Sequence, residues 1–302
     1  MGNMTRRLLV LGLLFAVAAG LLQFTGRAQA EGELPDFFIA AEGGEVTAQS
    51  TEPGVIRSRL VALNLEALTP AVGAMSDGDQ ALTYVYLNLF PDTAYIAELQ
   101  PGSVDSGGVT TWFGRLPDVP GSSLTLTSLD GIIELNLFMP AGRYRVTYAG
   151  EGLHEIRQQS GGSKPPSLPP VAPPPLPQVS ASADVGALGE ASDPNGDDTG
   201  ERIDVMMIYD QAAINGTPGG ESALRVKLSG EIANTNLGYA NSQVTQRVVL
   251  VHSQLVNYDE TDFNFSTTLQ RLRDGQIVGV QTLRHDYKAD LVVMVVKGSG
   301  QY

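Results

Sequence analysis

The chain of 302 residues contains no cysteine and only three histidines. Without cysteine it can form neither a disulfide nor a thiolate metal site, so its stability must come from packed cores. No two of these histidines have the H-E-x-x-H spacing. We expect structural or surface roles for His154, which lies in a predicted edge strand, and for His252 and His285. A G-x-S-x-G nucleophile elbow and a phosphate-binding glycine loop are also missing. We therefore assign no catalytic residue and no metal ligand.

Basic residues are scarce, since 19 Lys and Arg stand against 33 Asp and Glu for a net charge of −14. The first thirty residues hold three arginines and no acidic residue, so removing them takes the net charge from −14 to −17. Such a charge repels nucleic acids and anionic membrane surfaces. The expected partners are therefore proteins or peptides, and nucleic acid is excluded.

The first thirty residues have the features of a signal peptide. Arg6 and Arg7 precede the apolar run Leu8–Phe24, and Ala28 and Ala30 form a small-x-small cleavage site. We predict cleavage after Ala30, with a retained anchor and twin-arginine export as alternatives. No other apolar run is long enough to span a membrane. The predicted location is secreted, periplasmic or at the cell envelope.

Residues 31–157 are predicted to be rich in β-strands. Alternation places Thr83, Val85, Leu87 and Leu89 on one face of a strand. Asp130-Gly131 separates two alternating runs, which is a strong signal for a hairpin with a type I′ turn. Short strands at intervals of roughly ten residues favour an antiparallel sandwich or barrel.

Residues 158–200 are predicted to be a linker, first proline-rich and then acidic. A polyproline spacer extends by roughly 3 Å per residue, and a proline-groove ligand is the alternative. One stretch has oxygen ligands at alternating positions, like the start of a calcium loop: Asp193, Asn195, Asp197 and Asp198. The turn glycine and the twelfth-position glutamate of such a loop are missing, so we do not expect calcium.

Residues 201–302 alternate between strand and helix patterns. Strands are predicted at 203–209, 247–255 and 290–297, and helices near 221–240 and 266–287, with Ser266 as an N-cap. This order favours a largely parallel sheet with right-handed crossovers.

Five stretches of this segment stand in a fixed order. They are Asp204–Ala213 (DVMMIYDQAA), Asn234-x-Asn236, Tyr239–Ser242 (YANS), Val249–His252 (VLVH) and Leu283–Val292 (LRHDYKADLV). In order and spacing they resemble the start of bacterial reprolysin-like (adamalysin-type) metzincin peptidases. Residues 120–157 also look like the β-rich, propeptide-like region that accompanies such domains.

The resemblance implies a zinc-dependent endopeptidase. The fold that we expect is a two-domain α+β protein, with an antiparallel β-sandwich-like, propeptide-type domain at 31–157. The N-terminal half of an α/β metzincin-like domain would then occupy 201–302 in the order strand–helix–strand–helix–strand. The family's H-E-x-x-H-x-x-G-x-x-H zinc motif does not occur in this sequence.

Two functional hypotheses follow from these observations. The first is an exported zinc endopeptidase precursor, of which this chain is an inactive N-terminal fragment whose zinc ligands lie elsewhere. The second is a non-enzymatic extracellular binding or inhibitory module, a β-sandwich on a proline-rich stalk.

Overall fold

The computed structural model describes residues 34–41, 47–48, 54–68, 82–160, 201–261 and 263–298. Three predicted features lie outside these residues: the signal cleavage site at Ala28 and Ala30, most of the linker, and the acidic stretch at 193–198. Among the helices within these ranges, none has the length and apolar character needed to cross a membrane.

Most of the described chain before residue 160 forms one antiparallel sheet. Its strands are β1 (Phe38–Ala40), β2 (Thr47–Ala48), β3 (Val55–Leu63), β4 (Thr83–Phe90), β5 (Thr93–Leu99), β6 (Ser103–Val104), β7 (Thr110–Arg115), β8 (Ser123–Leu129), β9 (Ile132–Met139), β10 (Gly142–Gly150) and β11 (Leu153–Gln159). Their order is β1-β3-β11-β10-β9-β8-β7-β5-β4, with β2 beside β3 and β6 beside β7. A short 3-10 helix, Leu65–Leu68, follows β3.

The two ends of this sheet nearly meet, which makes it barrel-like. The Phe37 N–H donates to the Tyr86 carbonyl at 3.2 Å. The Asn88 amide accepts from the Phe38 N–H at 2.9 Å and donates to the Phe38 carbonyl at 2.8 Å. These bonds satisfy polar groups of β1 and β4 that an open sheet edge would leave unpaired.

The interior of this sheet contains the face predicted from alternation in β4. Val85, Leu87 and Leu89 are buried in its core together with residues from most other strands. The Asp130-Gly131 turn is confirmed too, since φ is 52° at Asp130 and 79° at Gly131 between β8 and β9. Both central residues of a type I′ turn require positive φ.

The segment after residue 200 forms a three-stranded parallel sheet with helices. Its strands are β12 (Arg202–Tyr209), β13 (Arg247–Leu255) and β14 (Leu291–Val295), in the order β13-β12-β14. Its helices are α1 (Gln211–Asn215), α2 (Gly220–Asn241), α3 (Phe265–Arg273) and α4 (Val280–Asp286). The predicted strands and the helix near 221–240 are therefore confirmed as elements. The helix predicted near 266–287 is divided into α3 and α4, and α3 is capped by Asn264 rather than by Ser266.

The predicted fold class is wrong. The described residues from Leu34 onward form one compact unit, mostly of β-strands, and not a two-domain α+β protein with a metzincin-like second domain. The physical reason is that α2 packs on β8 and β9 of the large sheet, where it hydrogen-bonds to both Thr125 and Thr127. The α/β segment thus shares its packing with the nearly closed sheet.

Candidate functional site

The carboxyl ends of the three parallel strands gather polar groups at one edge of the small sheet. Asp210 directly follows β12, Glu260 lies in the connection after β13, and Lys297 and Gly298 follow β14. In parallel α/β sheets this is the edge at which ligands most often bind. This edge is therefore the strongest candidate for a functional site.

Asp210 is completely buried at this edge. Its Oδ1 accepts a hydrogen bond from the Ala213 N–H at 2.7 Å, which caps α1. Its Oδ2 has no hydrogen-bond partner within the part of the chain that the structure describes. Burial, and then the neighbouring Glu260 carboxyl group, raise the pKa of Asp210 to about 6.

Glu260 binds the backbone that follows β14 at the same edge of the small sheet. Its two carboxylate oxygens accept from the backbone N–H groups of Lys297 and Gly298, at 2.7 and 3.1 Å. Gly298 has a φ of 63°, a backbone conformation that favours glycine. The Asp210–Glu260 pair therefore combines a carboxyl group that caps α1 with one that accepts hydrogen bonds from the backbone after β14.

A second polar contact supports this edge from the neighbouring helix. The Tyr209 hydroxyl donates to Glu221 Oε1 at 2.7 Å. Burial, followed by this hydrogen bond, raises the pKa of Tyr209, so its phenol stays protonated at neutral pH. The contact fixes the start of α2 against the end of β12.

His154 is a buried structural residue of the large sheet. It does not lie on an edge strand as predicted, because β11 pairs with β10 on one side and β3 on the other. Its Nε2 accepts from the Ile133 N–H at 3.0 Å, and its ring meets Tyr148 edge-on with centroids 5.1 Å apart. Burial lowers the pKa of His154 to about 4, so the imidazole is neutral at pH 7.

The other two histidines lie in the α/β segment. The His252 ring on β13 stacks on Tyr287 with centroids 3.7 Å apart and an interplanar angle of 7°. His285 is exposed in the last turn of α4. Neither is joined by enough other ligand side chains to hold an ion, because no three His, Asp or Glu residues cluster suitably anywhere in the described ranges.

The described residues therefore do not fit the zinc ion that the family resemblance implies. The Asp210–Glu260 pair supplies only two carboxyl groups, and His154 already uses its Nε2 as an acceptor. A catalytic zinc site requires three protein ligands with an open fourth position. No catalytic step through zinc can be derived from these side chains.

Sequence reasoning did not identify Asp210 and Glu260 as a pair. A signal for Asp210 was available, since an aspartate between an apolar strand and a helix is a typical N-cap at the carboxyl edge of a parallel sheet. Glu260 carried no comparable signal, because it lies in an irregular connection 50 residues further along the chain.

Comparison with known proteins places the chain near the metallopeptidases. No protein-family model matches it. It is 29% identical over 185 residues to the peptidyl-Asp metalloendopeptidase of Stenotrophomonas maltophilia (strain K279a). The aligned part is 60% of this chain and 42% of that relative, so the chain spans less than half of the relative's length. This similarity supports a metallopeptidase relation.

One solved structure also shares a local similarity. A chain from a chaperone–substrate complex matches 36% of this chain and 90% of its own length, with a TM-score of 0.26 and 12% identity. Similarity at this level carries no argument about the fold or the function.

Proposed function

We propose that this chain is part of an exported zinc-dependent endopeptidase precursor, and that residues 31–302 hydrolyse no peptide bond by themselves. The observation that carries the proposal is the 29% identity with a peptidyl-Asp metalloendopeptidase over 185 residues. The reprolysin-like subtype rests on the sequence resemblance alone. The proposed substrates are proteins or peptides.

In this proposal the chain supplies scaffold rather than catalytic groups. The small parallel sheet and its helices provide packed support, and the Glu260 carboxylate fixes the backbone after β14 through Lys297 and Gly298. Zinc, when bound by ligands elsewhere in the protein, would polarise the attacking water. Export is proposed from the N-terminal segment ending at Ala30, and the β-rich part is proposed to act as a propeptide.

The test compares residues 31–302 with the longest protein that the same reading frame encodes. We expect purified 31–302 to bind no stoichiometric zinc and to leave casein intact. We expect the longer protein to contain zinc by elemental analysis and to cleave casein in a reaction that a zinc chelator stops. Stoichiometric zinc or casein cleavage with 31–302 alone would contradict the proposed inactivity.

A matched pair of substrates tests the peptidase class more finely. Two peptides that differ only by Asp or Asn at one position report whether the carboxylate is recognised, as the relative's name suggests for that protein. Preferential cleavage of the Asp peptide by the longer protein supports the proposed relation. A reading frame that stops directly after Tyr302, with no activity, favours the non-enzymatic binding module instead.

A further inference from the structure

The outer face of β8 and β9 is polar, yet it is buried. Thr125, Thr127, Glu134 and Asn136 alternate with apolar core residues along these strands, and each is at most 3% exposed. In a sheet with one solvated face, such residues would contact water. In this protein they lie beneath α2, so this face is a docking surface for the helix.

At the centre of this contact, polar side chains of the sheet form hydrogen bonds with α2. Thr125 Oγ1 donates to Asn234 Oδ1 at 2.7 Å, and Thr127 Oγ1 donates to the Val226 carbonyl at 3.2 Å. Gly230 lets the helix approach closely, because a Cβ there would lie 3.3 Å from Thr127 Oγ1. The polar side chains of the sheet are therefore paired with partners on α2.

An ion triad borders the same contact. Arg145 Nη2 lies 2.6 Å from Glu134 Oε1 and 3.2 Å from Glu231 Oε1, so one guanidinium joins a carboxylate of the sheet to one of α2. Burial raises the pKa of Glu134, and the charge of Arg145 opposes this shift. The triad orients α2 across β9 and β10.

The loop between β6 and β7 of the large sheet is hydrogen-bonded to the first half of α2. Ser229 Oγ donates to Asp105 Oδ2 at 2.7 Å, and Arg225 Nη2 donates to the Gly107 carbonyl at 2.6 Å. Between the polar contacts lies a small apolar cluster whose buried members are Val109, Ile132, Ala223 and Val226. A mixed surface of this kind is typical of non-obligate interfaces between separate proteins.

We propose that residues 34–160 and residues 201–298 remain bound to each other through this α2 surface when the chain is cut between them. Both faces carry polar side chains that water can solvate, while their matched hydrogen bonds and the apolar cluster between them favour association. Cutting the connection therefore leaves a non-covalent complex and does not by itself release the β-rich part. The proposal does not depend on peptidase activity.

The experiment uses the chain from residue 31 with a site-specific protease sequence placed within residues 165–177. The chain is cut to completion and passed over a sizing column at micromolar concentration. We expect the two pieces to elute together. In a chain with Gly230→Leu we expect the dissociation constant to rise by at least about tenfold, because the added side chain meets Thr127 and Glu134.

Gly238→Leu is the matched control on the same helix, since a Cβ at the exposed Gly238 has no heavy atom within 4 Å. This variant should bind like the unaltered pieces. Glu231→Lys provides a second test that leaves the core intact, because Glu231 is half exposed. It should weaken the complex about two- to fivefold by replacing an ion pair with repulsion of Arg145.

The proposal is overturned if the unaltered pieces separate after cutting. It is also overturned if Gly230→Leu and Glu231→Lys both bind as tightly as the unaltered chain. Weaker binding of Glu231→Lys supports the proposal even where Gly230→Leu lowers the stability of the uncut chain.

Discussion

At the scale of single residues, two buried groups respond to protons in opposite ways. The folded state raises the pKa of Asp210 to about 6 and lowers that of His154 to about 4. The Asp210 contribution to stability is fully present at acidic pH and is lost as pH rises from about 4 to 6. The His154 contribution is present at neutral pH and is lost as pH falls from about 6.5 to 4.

Separate substitutions should reveal these opposing effects. Asp210→Asn keeps an oxygen to cap α1 and removes the charge. The free energy of unfolding of this variant, relative to that of the unaltered chain, should therefore be about 1–2 kcal/mol higher at pH 7 than at pH 4.

His154→Gln keeps an acceptor for the Ile133 N–H and cannot be protonated. The free energy of unfolding of this variant, relative to that of the unaltered chain, should therefore be about 1–3 kcal/mol higher at pH 4 than at pH 7. Urea unfolding at pH 4, 5, 6 and 7 measures both slopes.

Exposed positions provide the controls. Asp118→Asn and His285→Gln make the same chemical changes at exposed side chains. Their unfolding free energies, measured at the same pH values, give the slopes with which the buried variants are compared. Equal slopes for Asp210→Asn and Asp118→Asn would contradict the account of the buried carboxyl group.

At the scale of elements, α2 begins under a tight steric constraint from the large sheet. Its N-cap, Gly219, has a φ of 87°. A Cβ there would lie 2.6 Å from Tyr148 Cδ1 on β10 and 2.9 Å from the Ala223 Cβ. A glycine is required at this position for both conformational and steric reasons.

Gly219→Ala should therefore lower the free energy of unfolding by about 1–3 kcal/mol. Gly238→Ala, in the same helix, should be neutral or raise it by up to about 1 kcal/mol, because alanine is the better helix former. Urea denaturation monitored by circular dichroism compares the two variants. A loss for Gly238→Ala as large as that for Gly219→Ala would show that the contact with Tyr148 is not the cause.

At the scale of the whole molecule, the nearly closed sheet and the α/β segment share one packed structure. The chain has a single tryptophan, Trp112, which lies on β7 of the large sheet. The long helix α2 lies in the other segment and dominates the helical signal. The two signals therefore report on opposite sides of the shared contact.

We expect the intact chain to unfold in one cooperative transition. Trp112 fluorescence and circular dichroism at the helix minimum should give the same denaturation midpoint, because α2 cannot leave β8 and β9 without breaking its hydrogen bonds to Thr125 and Thr127 and exposing the buried apolar cluster between the two segments. Two separate midpoints would instead indicate two independent domains. The chain with Gly238→Ala should retain the single transition and serves as the control.

The local elements could be predicted from the amino-acid sequence. Alternation in β4, the Asp130-Gly131 turn and the helix pattern of α2 depend on residues a few positions apart, so their physical causes are visible in the linear chain. The Ser266 cap was misplaced by two residues because Asn264 can make the same bond.

How these elements combine depends on contacts between residues that are far apart in the chain. The Thr125–Asn234 hydrogen bond joins residues 109 positions apart, and the Asp210–Glu260 pair depends on three strands ending at one edge. Polar alternation in β8 and β9 is equally consistent with a face in contact with water and with a face covered by a polar helix. The choice between two domains and one compact unit depends on complementary surfaces, which no local pattern in the sequence specifies.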